Sequence, residues 1–333
     1  MNGISVVICC YNSALKLPET LLHLVNQQTS DGLSFEIILI DNGSTDNTAS
    51  LATAFWQTLC SSIPFKISIE TRLGKNYAIE KGILESNFNL VLFCDDDNLL
   101  EPNYLQLGFD YFRAHPNLGL LGGKGFPRFT TDVLPEWFER YAYQYAVGAQ
   151  TSHTKDITHD AGFVYGAGSI LKKTAYEHLK AKGFEYTVSG RIYGQIMAGE
   201  DNELGYALSL IGYQIHYYDA LHFIHVIPTS RLEWSYAKNL KKRVAYSNIL
   251  LSPYRYYRNK TLLHTAASFS WNKTVLVTCF YIFSNCMRYF FSTKTFQKDI
   301  ALDTQSRLGR LQALFQHRSY LIHKNRWLTW LSK

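Results

Sequence analysis

At 333 residues, 47% hydrophobic and 18% charged, the chain has ample apolar material for a folded core, which excludes a disordered polymer and fits either two domains or one domain with an extension. The net charge of +6 conceals an imbalance: residues 1–230 hold 15 Lys/Arg against 24 Asp/Glu, and residues 231–333 hold 18 against 3. Six cysteines (Cys9, Cys10, Cys60, Cys94, Cys279, Cys286) lack metal-ligand or disulfide spacing, so a reducing compartment is expected.

The chain enters directly into an apolar, β-branched run at residues 4–10, with no basic region or cleavage site before it, and a core strand is expected there rather than a signal peptide. Leu17, Leu21, Leu24 and Gln28 then recur at helical spacing. Residues 35–40 read as a second strand ending in Asp41-Asn42-Gly43-Ser44, followed after Asp46 by a helix bearing Leu51, Ala54, Phe55 and Leu59. A third strand at 65–69, a helix at 75–85 and a fourth strand at 90–94 follow, and Pro102 marks the start of a helix with Tyr104, Leu105, Phe109 and Phe112 as its apolar positions. Continuous apolar strands joined by helices imply a parallel sheet covered on both faces, with ligands outside the carboxyl ends of the strands. Tyr11-Asn12, Asp41-Asn42 and Asp95-Asp96-Asp97 all fall at those ends.

Three adjacent carboxylates repel one another and add nothing to a bare fold. In extended backbone Asp95 and Asp97 project to one side and Asp96 to the other. The pair Asp95/Asp97 thus forms a pincer for Mg²⁺ or Mn²⁺ completed by phosphate oxygens and water; the alternative is a solvated acidic turn.

Residues 115–195, rich in Gly and aromatics, are expected to form mixed strands and loops around an acceptor cleft. A helix follows Glu200-Asp201-Asn202-Glu203, with Leu204, Ala207, Leu208 and Ile211 on one face and Gly212 as its stop. Residues 214–218 read as a short strand. Beyond Arg231 the pattern is helical and basic, which suggests an anionic membrane surface or nucleic acid as partner, or else a solvated basic face. Residues 274–291 are apolar but interrupted by Asn285 and Arg288, so a buried or interfacial helix is expected there rather than a spanning one.

Together these motifs resemble the family 2 glycosyltransferases of the GT-A fold, inverting enzymes that use nucleotide-diphosphate sugars. The resemblance covers about residues 3–230 and is carried by Val6-Val7-Ile8-Cys9-Cys10-Tyr11-Asn12, by Asp41-Asn42-Gly43-Ser44-Thr45-Asp46-Asn47-Thr48, by Asp95-Asp96-Asp97 and by Gly199-Glu200-Asp201. It implies a Rossmann-like α/β fold, with a mostly parallel sheet and flanking helices. Residues 1–114 would be the nucleotide-sugar half, 115–230 the acceptor half and 231–333 a basic helical extension. Tyr11, Asn12, Asp41 and Asn42 would then serve the donor's base, Arg72 and Lys75 the base or diphosphate, and Asp95, Asp96 and Asp97 the sugar-nucleotide with its Mn²⁺ or Mg²⁺. Asp201 would be the general base, with Glu200 as runner-up; the alternative for Asp201 is a helix cap favoured by the dipole. His225 resembles a late metal or diphosphate ligand, against a hydrogen-bonded core histidine. Trp137 and Gly168 would border the acceptor, through a flat apolar face and a close backbone approach, with core packing as the alternative for Trp137. Two departures bear on base and sugar specificity: Asn42 stands where many members carry a second acid, and Ala78-Ile79-Glu80-Lys81 where Ala-Arg-Asn is frequent.

Such chemistry needs these residue types. Sugar transfer passes through an oxocarbenium-like state as a diphosphate leaves, a metal neutralises the leaving charge, and a carboxylate on the opposite face takes the acceptor's proton, worth about 10²–10⁴-fold. The expected activity moves a sugar from a UDP-, dTDP- or GDP-linked donor to a saccharide acceptor, lipid-linked, in cell-surface polysaccharide synthesis. The expected location is cytoplasmic, peripheral on the inner face of the cell membrane and held there by the basic extension; no nucleic acid partner is expected. A sugar-1-phosphate nucleotidyltransferase would open with a Gly-rich basic loop, and Cys9-Cys10-Tyr11-Asn12-Ser13 stands there instead. A non-catalytic membrane- or nucleic-acid-binding module is the remaining alternative.

Overall fold

The computed structural model describes residues 3–30, 32–188, 198–261, 269–323 and 328–332. Parts of the expected acceptor half (189–197) and of the extension (262–268 and 324–327) lie outside the described residues.

Strand β1 (Gly3–Cys10) alternates its apolar side chains between two cores: Ile4, Val6 and Ile8 face one, Val7 the other. Helix α1 (Leu17–Val25) covers the first core with Leu17, Leu21 and Leu24, and stops before Gln28. Strand β2 (Ser34–Asp41), α2 (Thr48–Thr58), β3 (Phe65–Ile69), α3 (Lys75–Glu85) and β4 (Leu90–Asp95) continue the alternation. The register is parallel and sets Cys10 beside Asp41 and Cys9 beside Asp95, so the polar residues that follow each strand emerge along one edge.

After β5 (Asn98–Leu100) and α4 (Tyr104–Ala114), the long β6 (Leu118–Phe129), short α5 (Phe138–Tyr141), β7 (Lys155–Asp156), β8 (Ile170–Lys172), α6 (Lys173–Ala181), α7 (Glu200–Leu210) and β9 (Gln214–Ile227) complete the sheet. Its order is β3-β2-β1-β4-β8-β6-β9-β5, with β7 on β9. The sheet is mixed: β8 lies antiparallel between β4 and β6 because the chain returns to the carboxyl edge and runs straight back down it without a crossover helix. Strand β9 is far longer than the five residues expected. Its second half buries Leu221, Phe223, His225 and Ile227 at every other position, the alternation of a strand with one covered face.

The extension is helical: α8 (Trp234–Leu250), α9 (Ser252–Thr261), α10 (Trp271–Phe290), α11 (Lys294–Gln316) and α12 (Arg318–Ile322). It is packed onto the rest. Tyr254, Leu314, Leu321 and Trp330 enter the core beneath α3 and α7, while Leu232, Ala237, Leu240 and Leu302 close around Trp137, Phe138 and Tyr145. Arg258 is a buried plug: Nη2 donates to the Thr158 carbonyl at 2.5 Å and Nη1 to the Ala161 carbonyl at 3.3 Å, with the guanidinium 4.9 Å from the Tyr206 ring. Of the two alternatives expected for 274–291, buried or interfacial, the structure excludes burial, since only Thr278 and Asn285 of α10 are buried. Among the described residues no helix is long and apolar enough to cross a membrane.

Candidate active site

A cleft of about 400 Å³ opens at the carboxyl edge of the sheet, lined among others by Tyr11, Asn42, Lys75, Asp95, Asp96, Asp97, Glu200, Asp201 and His225. The four motifs therefore meet in one place, brought there by parallel register and by the pairing of β5 with β9, which sets Asn98 opposite His225.

The acidic turn is held from several sides. Asp95 ends β4 and pairs with Lys75 Nζ at 2.6 Å. Asp96 accepts a short hydrogen bond from Ser13 Oγ, lies 3.5 Å from Lys16 Nζ, and its carbonyl accepts from Thr20 Oγ1 at 2.9 Å. Burial and the neighbouring Asp97 push the Asp96 carboxyl above its ordinary range, against Lys16 and Ser13. Asp97 is buried, with Arg231 Nη2 3.2 Å from Oδ2 and His225 Nε2 3.5 Å from Oδ1. Burial would raise its carboxyl, but His225, Arg231 and Lys16 outweigh that and hold it well below the usual carboxylate range. His225 is oriented from behind, its Nδ1 2.8 Å from the Tyr145 carbonyl, and Nε2 accepts from Arg231 Nη1 at 3.1 Å. Burial works against the Lys75 ammonium, yet Asp95 and Glu200 more than restore it, so it stays protonated.

The opposite wall is the start of α7. Gly199 caps the helix at φ 113°, so Asp201 is the second helical residue and does not cap it. Asp201 Oδ2 accepts from the Gly166 N–H at 3.1 Å and Oδ1 from the Asn202 N–H at 2.8 Å. Burial pushes this carboxyl above its ordinary range, only partly opposed by those N–H groups and by Lys75. A Cβ at Gly166 would stand 3.3 Å from Asp201 Cβ, so glycine there permits the carboxylate's seat. Cys9 also lines the cleft, but burial pushes its thiol up to about 12, which makes it an inert wall rather than a nucleophile.

The profile of glycosyl transferase family 2 matches residues 5–180, more than half of the chain. The chain belongs to glycosyl transferase family 2. Among its relatives are the poly-β-1,6-N-acetyl-D-glucosamine synthases of Staphylococcus epidermidis, 25% identical over 65% of this chain and 48% of theirs, and of Staphylococcus aureus strain COL, 23% identical over 65% and 48%. The chain spans about half the length of these curated relatives. The fold is shared with the mannosyltransferase PcManGT from Pyrobaculum calidifontis, solved with GDP-Man and Mn²⁺ (TM-score 0.59, 16% identity, 94% of this chain and 87% of that one). It is also shared with Staphylococcus aureus TarS 1–349 in complex with UDP-GlcNAc (TM-score 0.52, 13% identity, 97% and 93%). These likenesses establish a GT-A fold.

The other positions singled out in this family 2 chain, Asn42 excepted, lie away from the cleft wall. Asn12, at φ 54°, accepts from Thr45 N at 2.8 Å and ties the first loop to the second. Asp41 accepts from Ser44 N at 2.9 Å behind that loop. Arg72 is exposed, paired with Glu70 Oε2 at 2.9 Å and stacked 4.7 Å from Tyr77. Trp137 is buried against Trp234 and Phe138. Gly168, at φ 71°, gives its carbonyl to the Tyr104 hydroxyl at 2.6 Å. Asn42 both faces the cleft and braces it, bonding the Glu70 and Arg72 carbonyls and accepting from Gly74 N at 2.9 Å.

Sequence reasoning missed Lys16, Tyr145, Arg231, Tyr236 and Leu240, all on the cleft wall. For Arg231 a signal existed: a cation six residues after His225, just past Pro228.

A divalent cation fits this donor set. Asp97 Oδ2 is buried and ion-paired with Arg231 without a hydrogen bond of good geometry, and the carboxylates with an imidazole held by a carbonyl are donors suited to Mn²⁺ or Mg²⁺. Among the described residues no three His, Cys, Asp or Glu side chains converge into a ready-made cage, so phosphate oxygens and water must supply part of the shell.

Proposed function

We propose that the protein transfers a sugar, with inversion, from a nucleotide-diphosphate donor to a hydroxyl of a lipid-linked saccharide in cell-surface polysaccharide synthesis. The observation that carries this reading is the placement, across one cleft, of an Asp97 held ionised by cations and an Asp201 whose burial raises its proton affinity. Pairs of carboxylates driven apart in this way divide the labour of binding and proton transfer.

In this reading the donor's base lies against Tyr11 and Asn42, and its diphosphate meets Lys75 and Arg231. Asn12, Asp41 and Arg72 fix the loops that shape the base pocket. Asp95, Asp97 and His225 would contribute ligands to a Mn²⁺ or Mg²⁺ whose shell phosphate oxygens and water would complete, and the ion would supply Lewis-acid neutralisation of the departing diphosphate. Asp201 takes the acceptor's proton on a carboxylate lone pair that the Gly166 and Asn202 N–H groups leave free, as the acceptor oxygen bonds to the anomeric carbon and the bond to the diphosphate breaks. Glu200, one residue earlier on the same wall, is the second choice as base. Tyr145 and Tyr236 border the acceptor, with Trp137 supporting them from behind and the Gly166–Gly168 turn letting backbone approach it. The basic extension places the enzyme on the cytoplasmic face of an anionic membrane.

Thermal unfolding with UDP, GDP and dTDP, each with and without Mn²⁺, tests the donor site. One nucleotide should raise the melting temperature in a saturable, Mn²⁺-dependent way, since a ligand at 100 times its Kd adds about 2.7 kcal/mol. No shift with any of the three, or with their sugar conjugates, would sink the reading.

A further inference from the structure

We propose that α10 lies in the plane of an anionic phospholipid surface and inserts its apolar face among the headgroups. This deepens the membrane reading above and rests on it. Leu276, Phe280, Phe283, Met287 and Phe290 are 70%, 65%, 67%, 49% and 80% exposed. They recur at alternating steps of four and three, so they form one continuous stripe along the helix. Val277 on one flank and the exposed Cys279 and Cys286 on the other widen the apolar arc to roughly 180°, at 100° per residue. Phe291 and, on α11, Phe296 carry it past the end of the helix.

The width decides between occupants. A second copy docking helix to helix would cover a two-per-heptad seam and would use opposite charges at its flanks. Here the arc is broader than such a seam, and no acidic residue occurs between Glu233 and Asp299. Lys273 and Arg288 stand exposed towards the two ends of α10, and Lys294 and Lys298 on the first turns of α11, instead, the charge complement of anionic headgroups. The other side of α10 is seated on the protein, with Asn285 Nδ2 donating to Asp303 Oδ2 at 2.7 Å and to Thr304 Oγ1 at 3.2 Å. Because α10 packs on α11, α11 on α8, and α8 lines the cleft through Tyr236 and Leu240, docking would hold the cleft at a fixed height above the lipid.

Cosedimentation of the full chain with phosphatidylglycerol–phosphatidylcholine vesicles, without donor or acceptor, tests this. The wild type should bind them and largely ignore pure phosphatidylcholine. The double variant Phe280→Ser/Phe283→Ser should lose about tenfold or more in partitioning at an unchanged melting temperature. Lys294→Gln/Lys298→Gln should lose up to about thirtyfold on anionic vesicles only, at about 1 kcal/mol for each of the two cations. If the wild type fails to bind, the membrane reading falls with this one while the transfer chemistry stands. If the Phe variant binds like the wild type, α10 alone is overturned. A wild-type dimer that the Phe variant dissociates, with no vesicle binding, would assign the face to a second copy and overturn the proposal.

Discussion

The two walls of the cleft hold carboxylates in opposite ways. At the β4–β5 turn, each aspartate faces a cation: Lys75 for Asp95, Lys16 for Asp96, and Arg231 for Asp97, with the His225 ring beside it. At the start of α7, Asp201 is held by two backbone N–H groups and by burial, with no side-chain cation in hydrogen-bond contact among the described residues. The first wall is a charge balance that a phosphorylated, metal-bearing ligand can re-partition. The second keeps one buried carboxylate at raised basicity and fixed orientation. Ion pairing and burial therefore separate two groups that are chemically identical.

Breaking the second wall should have the largest effect. Asp201→Asn should lower transfer by about 10²–10⁴-fold with nucleotide affinity by calorimetry preserved; equal losses in both would erase the distinction. Next, Arg231→Ala leaves Asp97 buried with weaker compensation, and urea denaturation without ligands should show a loss of about 3 kcal/mol. Arg231→Lys should recover part of it.

The pH dependence separates the walls further. The folded-state pKa of Asp201 is raised, so the native state binds its proton more tightly than the unfolded chain. Its contribution to stability is full below the unfolded carboxylate pKa and is lost as pH rises through the folded one. Asp201→Asn should therefore be more stable than wild type at neutral pH and lose that advantage in acid, as read by urea midpoints across pH. In the wild type the acid limb of kcat/KM should lie above the ordinary carboxylate range. The smallest effect belongs to Arg72→Ala, off the cleft and exposed, which should leave nucleotide affinity within about threefold.

Much of this was legible in the chain. Apolar runs at 4–10, 35–40 and 90–94 have only one physical use, as buried strands, and parallel register then forces Tyr11, Asn42 and Asp95 to one edge. What stayed hidden depends on long-range packing. The only local mark of Arg231 is its place six residues after His225; it becomes a site residue because β5 pairs with β9 and carries the following turn to Asp97. Trp137 and Arg72 show the converse, residue types suited to sugar or phosphate that tertiary context occupies with Trp234 and Glu70. The full length of β9 was obscured by His216, Asp219 and His222, which break the apolar run, and by an irregularity between Tyr217 and His222 that interrupts its two-residue burial period.

The plug formed by Arg258 and the seating of Tyr254 in the main core have a consequence for modularity. The sharp change of charge at residue 231 looks like a seam, yet Arg231, Tyr236 and Leu240 on its far side complete the cleft. A graft that exchanged this extension for a relative's would import a new cleft wall along with a new tail, so the proposed surface anchoring and the proposed acceptor wall would be inherited together as a single cassette.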